Sequence, residues 1–317
     1  MDVRTEAGPG PTAGVMAEAV EKAVGYLASV QHSDGGFTAI EHAEPDTASP
    51  GTPEPSPFVT ASVLHALSLT DTPSARPLID RGAAWLLREM EEPGVWRRAS
   101  ADPPIAPDVD VTCCASFALR RLGFGAGNEA AVLANLSSDG LFRTWLRPPD
   151  AANDFDSVVN ANVLLYLGER RETAACEMLC EAIVRGMEEA TYYYYVDPLA
   201  LHYAVARAFA HGVSAFARCR DTVVGRTLAR QDEDGGWESD LLTGMAVCTL
   251  AGFGLGASRE AVRGARLLAE TQHPDGSWDD DLFHAGPEPP APHASWWSSP
   301  ALATALCLEA LLKVATD

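Results

Sequence analysis

The sequence predicts an all-α protein, an (α/α)6 toroid or barrel in which six outer helices alternate with six inner ones. Three observations predict this fold. A turn with Gln, Asp, Gly and an aromatic residue at fixed offsets recurs at 31–37, 231–237 and 272–278, as QHSDGGF, QDEDGGW and QHPDGSW. The segments before these turns are amphipathic, and those after them are apolar on almost every face. Recurrence of one short unit is typical of folds that stack a helix pair many times.

The outer helix comes first in each repeat. Segments such as EAVEKAVGYLASVQ and EAVRGARLLAETQ place apolar residues three and four apart with charges between them, which indicates a half-buried helix. Glycine permits the left-handed exit from a helix, and the aromatic residue can pack between neighbouring outer helices. We therefore interpret the turn as structural rather than catalytic. Six turns end the outer helices, the fourth being degenerate: 31–37, 90–96, 136–142, 188–195, 231–237 and 272–278.

The inner helices follow the turns and are nearly free of charge, which predicts burial on all sides. Because outer and inner helices alternate, all inner helices begin at the same end of the ring. Their unpaired N–H groups and positive dipole ends converge on one rim, where functional residues are expected. The inner segments are PFVTASVLHALSL, DVTCCASFALRRL, DSVVNANVLLYL, DPLALHYAVARAFA, DLLTGMAVCTLAGF and PALATALCLEALL.

The repeats predict one toroid over residues 15–317. Residues 1–14 are acidic and rich in Gly and Pro but lack the regions of a signal peptide, which predicts a disordered leader in a cytoplasmic protein. The net charge of −21 argues against nucleic acid as a partner, and no apolar run is long enough for a transmembrane segment. The seven Cys residues lie mostly in apolar stretches without zinc-site spacing, so we expect them in the core.

Paired acids stand at two inner-helix starts, Asp108 and Asp110 in PDVDVT and Asp154 and Asp156 in NDFDSVVNAN. One carboxylate suffices to cap a helix, so a pair leaves a second one to reach into the cavity. Close carboxylates repel each other and an apolar cavity desolvates them, which keeps one protonated near neutral pH. Such an acid could protonate an alkene or an epoxide. The alternative is a Mg²⁺ site completed by phosphates.

Single acids at the other starts are expected to be helix caps or solvated: Asp197, Asp240 and the run 279–281. Aromatic residues near the inner-helix starts are expected to line the cavity, where their faces stabilise a cation. These are Trp296, Trp297, Tyr192, Tyr194, Tyr203, Phe58, Phe155 and Trp145. The Pro-rich loop FHAGPEPPAPHASWW, which contains His284 and His293, is predicted to fold over the rim as a lid.

The repeated turns resemble the QW-type repeats of squalene-hopene cyclase, oxidosqualene cyclases and class II terpene cyclases, and the resemblance extends to the β subunits of protein prenyltransferases. It covers essentially the whole chain from about residue 15. DVDVTCCASFAL resembles the class II Asp-x-Asp-Asp-Thr-Ala stretch, and HASWWSSPALATALCLEALL resembles the C-terminal stretch of those cyclases. The length implies a single β-type domain, without the second barrel of squalene-type cyclases.

The resemblance implies that Asp110 is the proton donor, with Asp108 and Thr112 at the first Asp and the Thr of the motif. Val111 replaces the third acid or Thr, which departs from the pattern. The zinc ligands of protein prenyltransferases have no counterpart after QDEDGGW, so that activity is not expected.

A class II terpene cyclase-like enzyme is therefore predicted, one that cyclises a linear isoprenoid such as a polyprenyl diphosphate, an epoxide or a meroterpenoid. In this hypothesis Asp110 protonates the chain and Asp108 keeps it in the acidic form. Asp154 and Asp156 orient the substrate, bind Mg²⁺ or supply the alternative acid, with Thr112 in support.

No cofactor is required for such chemistry, and Mg²⁺ is expected only with a diphosphate, for which Arg97, Arg143 and Arg147 are the nearest cations. A homodimer or a partner subunit is expected to close the cavity. Two other classes stay open. A toroid inactivated at Val111 would bind an apolar ligand or a partner protein, and a carbohydrate-active toroid would use the Asp pairs as acid and base.

Overall fold

The structure is a computed structural model that describes residues 13–98, 105–168, 173–287 and 291–315. Except for its last two residues, the predicted leader at 1–14 lies outside this range. Outer and inner helices alternate along the chain, as the repeats predict. The outer helices are α1 (Ala13–Val30), α3 (Ala75–Glu89), α5 (Glu129–Leu133), α7 (Thr173–Arg185), α9 (Arg220–Ala229) and α11 (Arg259–Thr271). The inner helices are α2 (Pro57–Leu67), α4 (Val109–Arg121), α6 (Ser157–Leu167), α8 (Pro198–Ala210), α10 (Asp240–Gly252) and α12 (Pro300–Ala315).

The inner helices form a closed ring. α2 packs against α4, each inner helix then packs against the next, and α12 returns to α2. Helix α6 shows the expected burial, because every residue from Ser157 to Tyr166 is buried. Outer helices such as α3 and α11 pack against the outside of this ring. The ring of contacts is the toroid that the repeats predict.

The recurring turn ties neighbouring outer helices together. The side-chain amide of Gln31 donates to Gly35 O in its own turn and to Leu78 O in α3, both over 3.0 Å. Gln231 and Gln272 make the same pair of bonds, the second of each to the next outer helix around the ring. Gly35 has φ of 105°, and a Cβ there would lie 2.3 Å from Arg81 O, so only glycine fits. The turn is therefore structural.

The expectation of an all-α protein is wrong, because an antiparallel four-stranded sheet covers part of the rim. The strands are β1 (Thr38–His42), β2 (Gly51–Pro55), β3 (Leu282–Gly286) and β4 (Ser295–Ser298), in the order β2-β1-β4-β3. In the register, Ile40 of β1 faces Pro53 of β2 on one side and Ser298 of β4 on the other.

The sheet forms where two long connections reach the same rim. β1 and β2 precede α2, while β3 and β4 precede α12, and these two helices are neighbours in the ring. The four strands have five residues or fewer, too short for a period to be visible in the sequence. Pro53 and Pro55 lie in β2, an edge strand, where a missing N–H breaks no interior ladder.

The cysteines and the hydrophobicity of the helices can be compared with what the composition predicts. All seven cysteines are buried and unbridged, as predicted for core residues. Across the part of the chain that the structure describes, no helix combines the length and hydrophobicity needed to cross a bilayer.

Candidate active site

Caps fix the backbone at the rim where the inner helices begin. Asp108, Asp156 and Asp197 are the N-caps of α4, α6 and α8, and each accepts at least one backbone N–H with its side chain. Ser239 rather than Asp240 caps α10. The run 279–281 caps no helix, because β3 and β4 separate it from α12.

A cavity of about 490 Å³ lies between this rim and the sheet. Its volume is within the range of sites for small organic ligands. Asp108 and Asp110 both line it, as predicted. The lining residues are Glu41, Glu54, Arg98, Ile105, Asp108, Asp110, Val111, Thr144, Trp145, Arg147, Val159, Tyr194, His284, Ala285, Gly286, Pro287, Ala294, Ser295 and Trp297.

The first acid of the pair, Asp108, caps helix α4 with one carboxyl oxygen, while the other oxygen has no hydrogen-bond partner. Asp108 Oδ1 accepts the N–H of Val111 over 2.7 Å. Its other oxygen, Oδ2, is buried and has no hydrogen-bond partner. An oxygen buried without a partner favours the protonated carboxyl, since the anion would lose its solvation without compensation.

The second acid is held by one donor from α6 and one from the segment before α8. Asp110 Oδ1 accepts from the side-chain amide of Asn162 over 2.8 Å, and Oδ2 accepts from the hydroxyl of Tyr195 over 2.6 Å. Asn162 in turn accepts from Arg207 Nη2 over 2.7 Å. This chain fixes the position of the Asp110 carboxyl.

Burial and the neighbouring charge of Asp110 raise the pKa of Asp108 to about 8. Burial also raises the pKa of Asp110, while hydrogen bonds from Tyr195 and Asn162 and the charge of Arg207 oppose that rise. Two such groups titrate together, so the pair as a unit retains one proton at neutral pH. A neutral carboxyl that faces a cavity has a proton available for transfer to a ligand.

The second predicted pair is engaged differently. Asp156 Oδ1 accepts the N–H groups of Val158 and Val159, and Oδ2 accepts those of Tyr193 and Tyr194. Burial raises the pKa of Asp156 to about 6. With both oxygens committed to the backbone and no position in the cavity wall, Asp156 acts here as a structural anchor.

Asp154 and Thr112 are also placed by hydrogen bonds. Asp154 Oδ2 accepts from Tyr194 OH over 2.6 Å and from Trp145 Nε1 over 3.2 Å, while its Oδ1 is buried without a partner. Thr112 Oγ1 accepts the N–H of Trp96 and lies outside the cavity wall. Within the described residues, no group of three or more His, Cys, Asp or Glu side chains could hold a metal ion.

Three of the predicted aromatic residues line the main cavity: Trp145, Tyr194 and Trp297. Phe58 and Tyr203 instead line a second, deeper cavity of about 30 Å³, so the centre of the barrel is almost filled. The other three do not line either cavity. They are Tyr192, Phe155 and Trp296.

Of the predicted cations, only Arg147 lines the cavity, and it lies over the ring of Trp145 at 4.9 Å. Arg97 pairs with Glu91, and Arg143 lies over the exposed ring of Phe155.

The sequence reasoning missed Arg98. Its guanidinium lies 3.7 Å from the centre of the Trp297 ring and 3.2 Å from Glu54, in the cavity wall. It follows a turn at the end of an outer helix, where no pattern marks it.

Asn162 and Arg207 were also missed, although the sequence carries a signal for them. Each is a buried polar or charged residue in a largely apolar inner helix, α6 and α8 respectively. A buried charge requires a partner, so such residues indicate a contact across the barrel. That they position Asp110 becomes visible only in the closed ring, where α4, α6 and α8 come together.

The segment that was predicted to form a lid contains the β3–β4 hairpin. Ala285, Pro287 and Ser295 of this hairpin are among the lining residues. His284 is part of strand β3 rather than of a loop, and it faces the cavity. His293 packs against the ring of Tyr193 at 4.4 Å.

Comparison with known proteins gives structural but no sequence matches. No model of a known protein family matches the chain, and no curated protein does. The type II terpene cyclase MstE from Scytonema is 19% identical, with a TM-score of 0.76 over 96% of this chain and 99% of that one. Variants of MstE have been solved with geranylgeranyl dihydroxybenzoate, a substrate, and with merosterolic acid A, a product.

Two further solved structures share the helical ring. The ent-copalyl diphosphate synthase from Streptomyces platensis is 18% identical, with a TM-score of 0.54 over 99% of this chain and 70% of that one. An unsaturated glucuronyl hydrolase specific for heparin is 10% identical, with a TM-score of 0.62 over 96% and 97% of the two chains. At such identities the comparisons show a class II terpene cyclase-like fold, and the activity has to be argued from the site.

Proposed function

We propose that this protein is a class II terpene cyclase-like enzyme that starts the cyclisation of a linear isoprenoid by protonating it. The observation that carries the proposal is the buried carboxyl pair, Asp108 and Asp110, in the wall of a largely apolar and aromatic cavity. The pair retains a proton at neutral pH because burial raises both pKa values. Few other reactions need a carboxyl that stays neutral at pH 7 beside aromatic rings that can stabilise a cation.

In the proposed first step, Asp110 transfers its proton to the terminal alkene or epoxide of the chain. The O–H bond of the carboxyl breaks, a C–H bond (or an epoxide O–H bond) forms, and a carbocation is left on the substrate. Tyr195 and Asn162 hold the Asp110 carboxyl in position and stabilise the anion that remains. Asp108 lies close enough for the charge of Asp110 to raise its pKa, so the two carboxyls are not both ionised at neutral pH.

The carbocation then needs a site that stabilises it without trapping it. The rings of Trp145, Tyr194 and Trp297 line the cavity, and a desolvated aromatic face stabilises a cation by about 2 kcal/mol. The β3–β4 hairpin contributes to the wall opposite the helix starts. Excluding water there prevents premature capture of the cation.

The substrate class that we propose is a linear polyprenyl chain with a diphosphate, epoxide or aromatic head group. MstE, which has a similar fold, binds geranylgeranyl dihydroxybenzoate. No cofactor is needed for the proton transfer. A diphosphate head group would bind together with Mg²⁺. Asp154 bonds to Trp145 and Tyr194 of the cavity wall through Oδ2, and its Oδ1 has no hydrogen-bond partner, so this carboxylate is the candidate ligand. Closure of the cavity by a second copy or another subunit, and a cytoplasmic location, stay predictions.

Incubation with a substrate panel tests the proposal: farnesyl and geranylgeranyl diphosphate, squalene, an epoxidised chain and geranylgeranyl dihydroxybenzoate, analysed by mass spectrometry. We expect a cyclic product with the mass of its substrate from the wild type. Binding without turnover would favour an inactive toroid. Cleavage of a uronic-acid oligosaccharide, with no change in any isoprenoid, would favour a carbohydrate-active toroid like the glucuronyl hydrolase.

A further inference from the structure

His284 is a titratable side chain in the cavity wall that the proton transfer described above does not use. It lies in β3, is 6% exposed and faces the same cavity as the acid pair. Its Nε2 is buried without a hydrogen-bond partner. A buried histidine normally satisfies both ring nitrogens, so an unpartnered one in a cavity wall suggests a role toward a ligand.

The neighbouring His42 shows the ordinary arrangement in the same sheet. Its Nδ1 lies 3.1 Å from Ser49 O and its Nε2 lies 3.0 Å from Ser298 Oγ. His42 is also buried but does not line the cavity. Buried ring nitrogens without a partner also occur at His65, His202 and His293, but none of these side chains lines the cavity.

The ring of His284 is held among aromatic rings. Its centre lies 4.4 Å from that of Tyr195, 4.6 Å from that of Phe283 and 4.7 Å from that of Phe58. Tyr195 is the residue whose hydroxyl bonds Asp110. The imidazole therefore packs against the tyrosine that holds the acid.

The protonation state suits a base. Burial, with the nearby charge of Arg98, holds the pKa of His284 well below its usual range. The ring is therefore neutral and carries a lone pair on one nitrogen. A tertiary carbocation is so strong an acid that even a weakly basic imidazole deprotonates it.

We propose that His284 is the base that ends the cyclisation by removing a proton from the last carbocation. This inference rests on the proposed function. A C–H bond next to the cationic carbon breaks, its electron pair forms the product alkene, and the proton goes to the imidazole. The acid pair has lost one proton and His284 has gained one. The return of that proton to the pair resets the site, and the net reaction is an isomerisation.

The test compares the product mixtures of wild type and His284→Phe on whichever panel substrate the wild type cyclises. Phe keeps the ring and its packing but has no lone pair. Since a general base contributes about 10²–10⁴-fold, we expect the wild-type alkene to fall at least about tenfold as a share of products. Alcohols from water capture or isomeric alkenes take its place, while consumption of the substrate continues.

His42→Gln is the matched control, since it removes a buried histidine of the same sheet that does not line the cavity. We expect it to lower the melting temperature without changing the product alkene. An unchanged product from His284→Phe overturns the assignment of His284 alone. A wild type that cyclises no panel substrate overturns the proposed function and this inference together.

Discussion

The hydroxyl of Tyr195 donates to Oδ2 of Asp110 over 2.6 Å and so links the segment before α8 to the first turn of α4. This bond favours the charged carboxylate and lowers the pKa of Asp110, against the larger effect of burial. The bond therefore limits how far the pKa of Asp110 rises, next to Asp108 with its pKa of about 8.

Tyr195→Phe tests this link through the pH profile of kcat/KM. Activity requires a proton on the pair, so in the wild type it is full at low pH and falls as the pH rises through about 8. Removal of the Tyr195 hydroxyl raises the pKa of Asp110, so the fall should move to higher pH. Tyr166→Phe is the control, because that buried hydroxyl donates to Asn128 Oδ1, away from the cavity. A fall that stays in place, or moves to lower pH, would contradict the account.

Asp108→Asn distinguishes the effect of the helix cap on stability from the effect of the ionisable carboxyl. Asn keeps an acceptor for the N–H of Val111 but never ionises. The folded-state pKa of Asp108 is raised from 3.8 to about 8, so its contribution to stability is full below its ordinary pKa and is lost as the pH rises through about 8. Relative to wild type, the variant should therefore gain stability between pH 5 and pH 9, as measured by urea unfolding.

Asp108→Ala serves as the comparison for that series. It loses the cap, and we expect it to be less stable than Asp108→Asn by about 1 kcal/mol at every pH. A wild type that is as stable relative to Asp108→Asn at pH 9 as at pH 5 would show that Asp108 is not buried as a neutral acid.

The filled centre of the barrel predicts a stability effect. Glu309 is 1% exposed, lies 2.6 Å from Lys313 Nζ and accepts the hydroxyl of Tyr203 over 2.8 Å. Glu309→Gln leaves the Lys313 charge without its partner, which should lower the free energy of unfolding by about 3–5 kcal/mol at pH 7. Glu270→Gln, in an exposed pair with Arg266, should change it little.

The pH dependence of the Glu309 effect has a definite sign. Burial raises the pKa of Glu309, but Lys313 and His65 outweigh it and hold that pKa well below the usual range. The stability from this group is therefore present above its ordinary pKa of 4.5 and is lost as the pH falls through the lower, folded-state value. The gap between wild type and Glu309→Gln should narrow in acid, and a gap that widens there would contradict the assignment.

Asp156→Ala tests the structural reading of the second acid pair. Asp156 accepts four backbone N–H groups, two in α6 and two in the tyrosine run. Its loss should reduce the free energy of unfolding by at least about 2 kcal/mol. Ser258→Ala is the comparison, because it removes a cap whose hydroxyl accepts one backbone N–H, that of Ala261, and it should cost less. Equal melting temperatures for Asp156→Ala and wild type would show that this anchor is dispensable.

The repeat made most of the fold predictable. Gln31, Gln231 and Gln272 stand at equivalent places in equivalent turns. Their positions therefore indicate where the outer helices end and the inner helices begin. The sheet was not predictable, because its short strands pair only after the ring closes and brings α12 beside α2. Long-range pairing of this kind leaves no local period in the sequence.

The candidate site was predictable in part. Asp108 and Asp110 follow from the phase of the repeat and both line the cavity. The partners of Asp110 come from α6 and from the segment before α8, and a sequence pattern does not show which residues meet across a barrel. Arg98 and His284 depend on the sheet, and their positions could not be predicted without it.

Turnover by Asp110→Asn tests the central claim most directly. Asn fills nearly the same volume. Its Oδ1 can still accept the amide of Asn162, and its NH2 group can donate to the hydroxyl oxygen of Tyr195, so the melting temperature and the binding of the substrate should change little. It has no acidic proton to give, so single-turnover cyclisation should fall by at least about 10³-fold. A folded Asp110→Asn variant that forms the cyclic product at the wild-type rate would remove Asp110 from the mechanism.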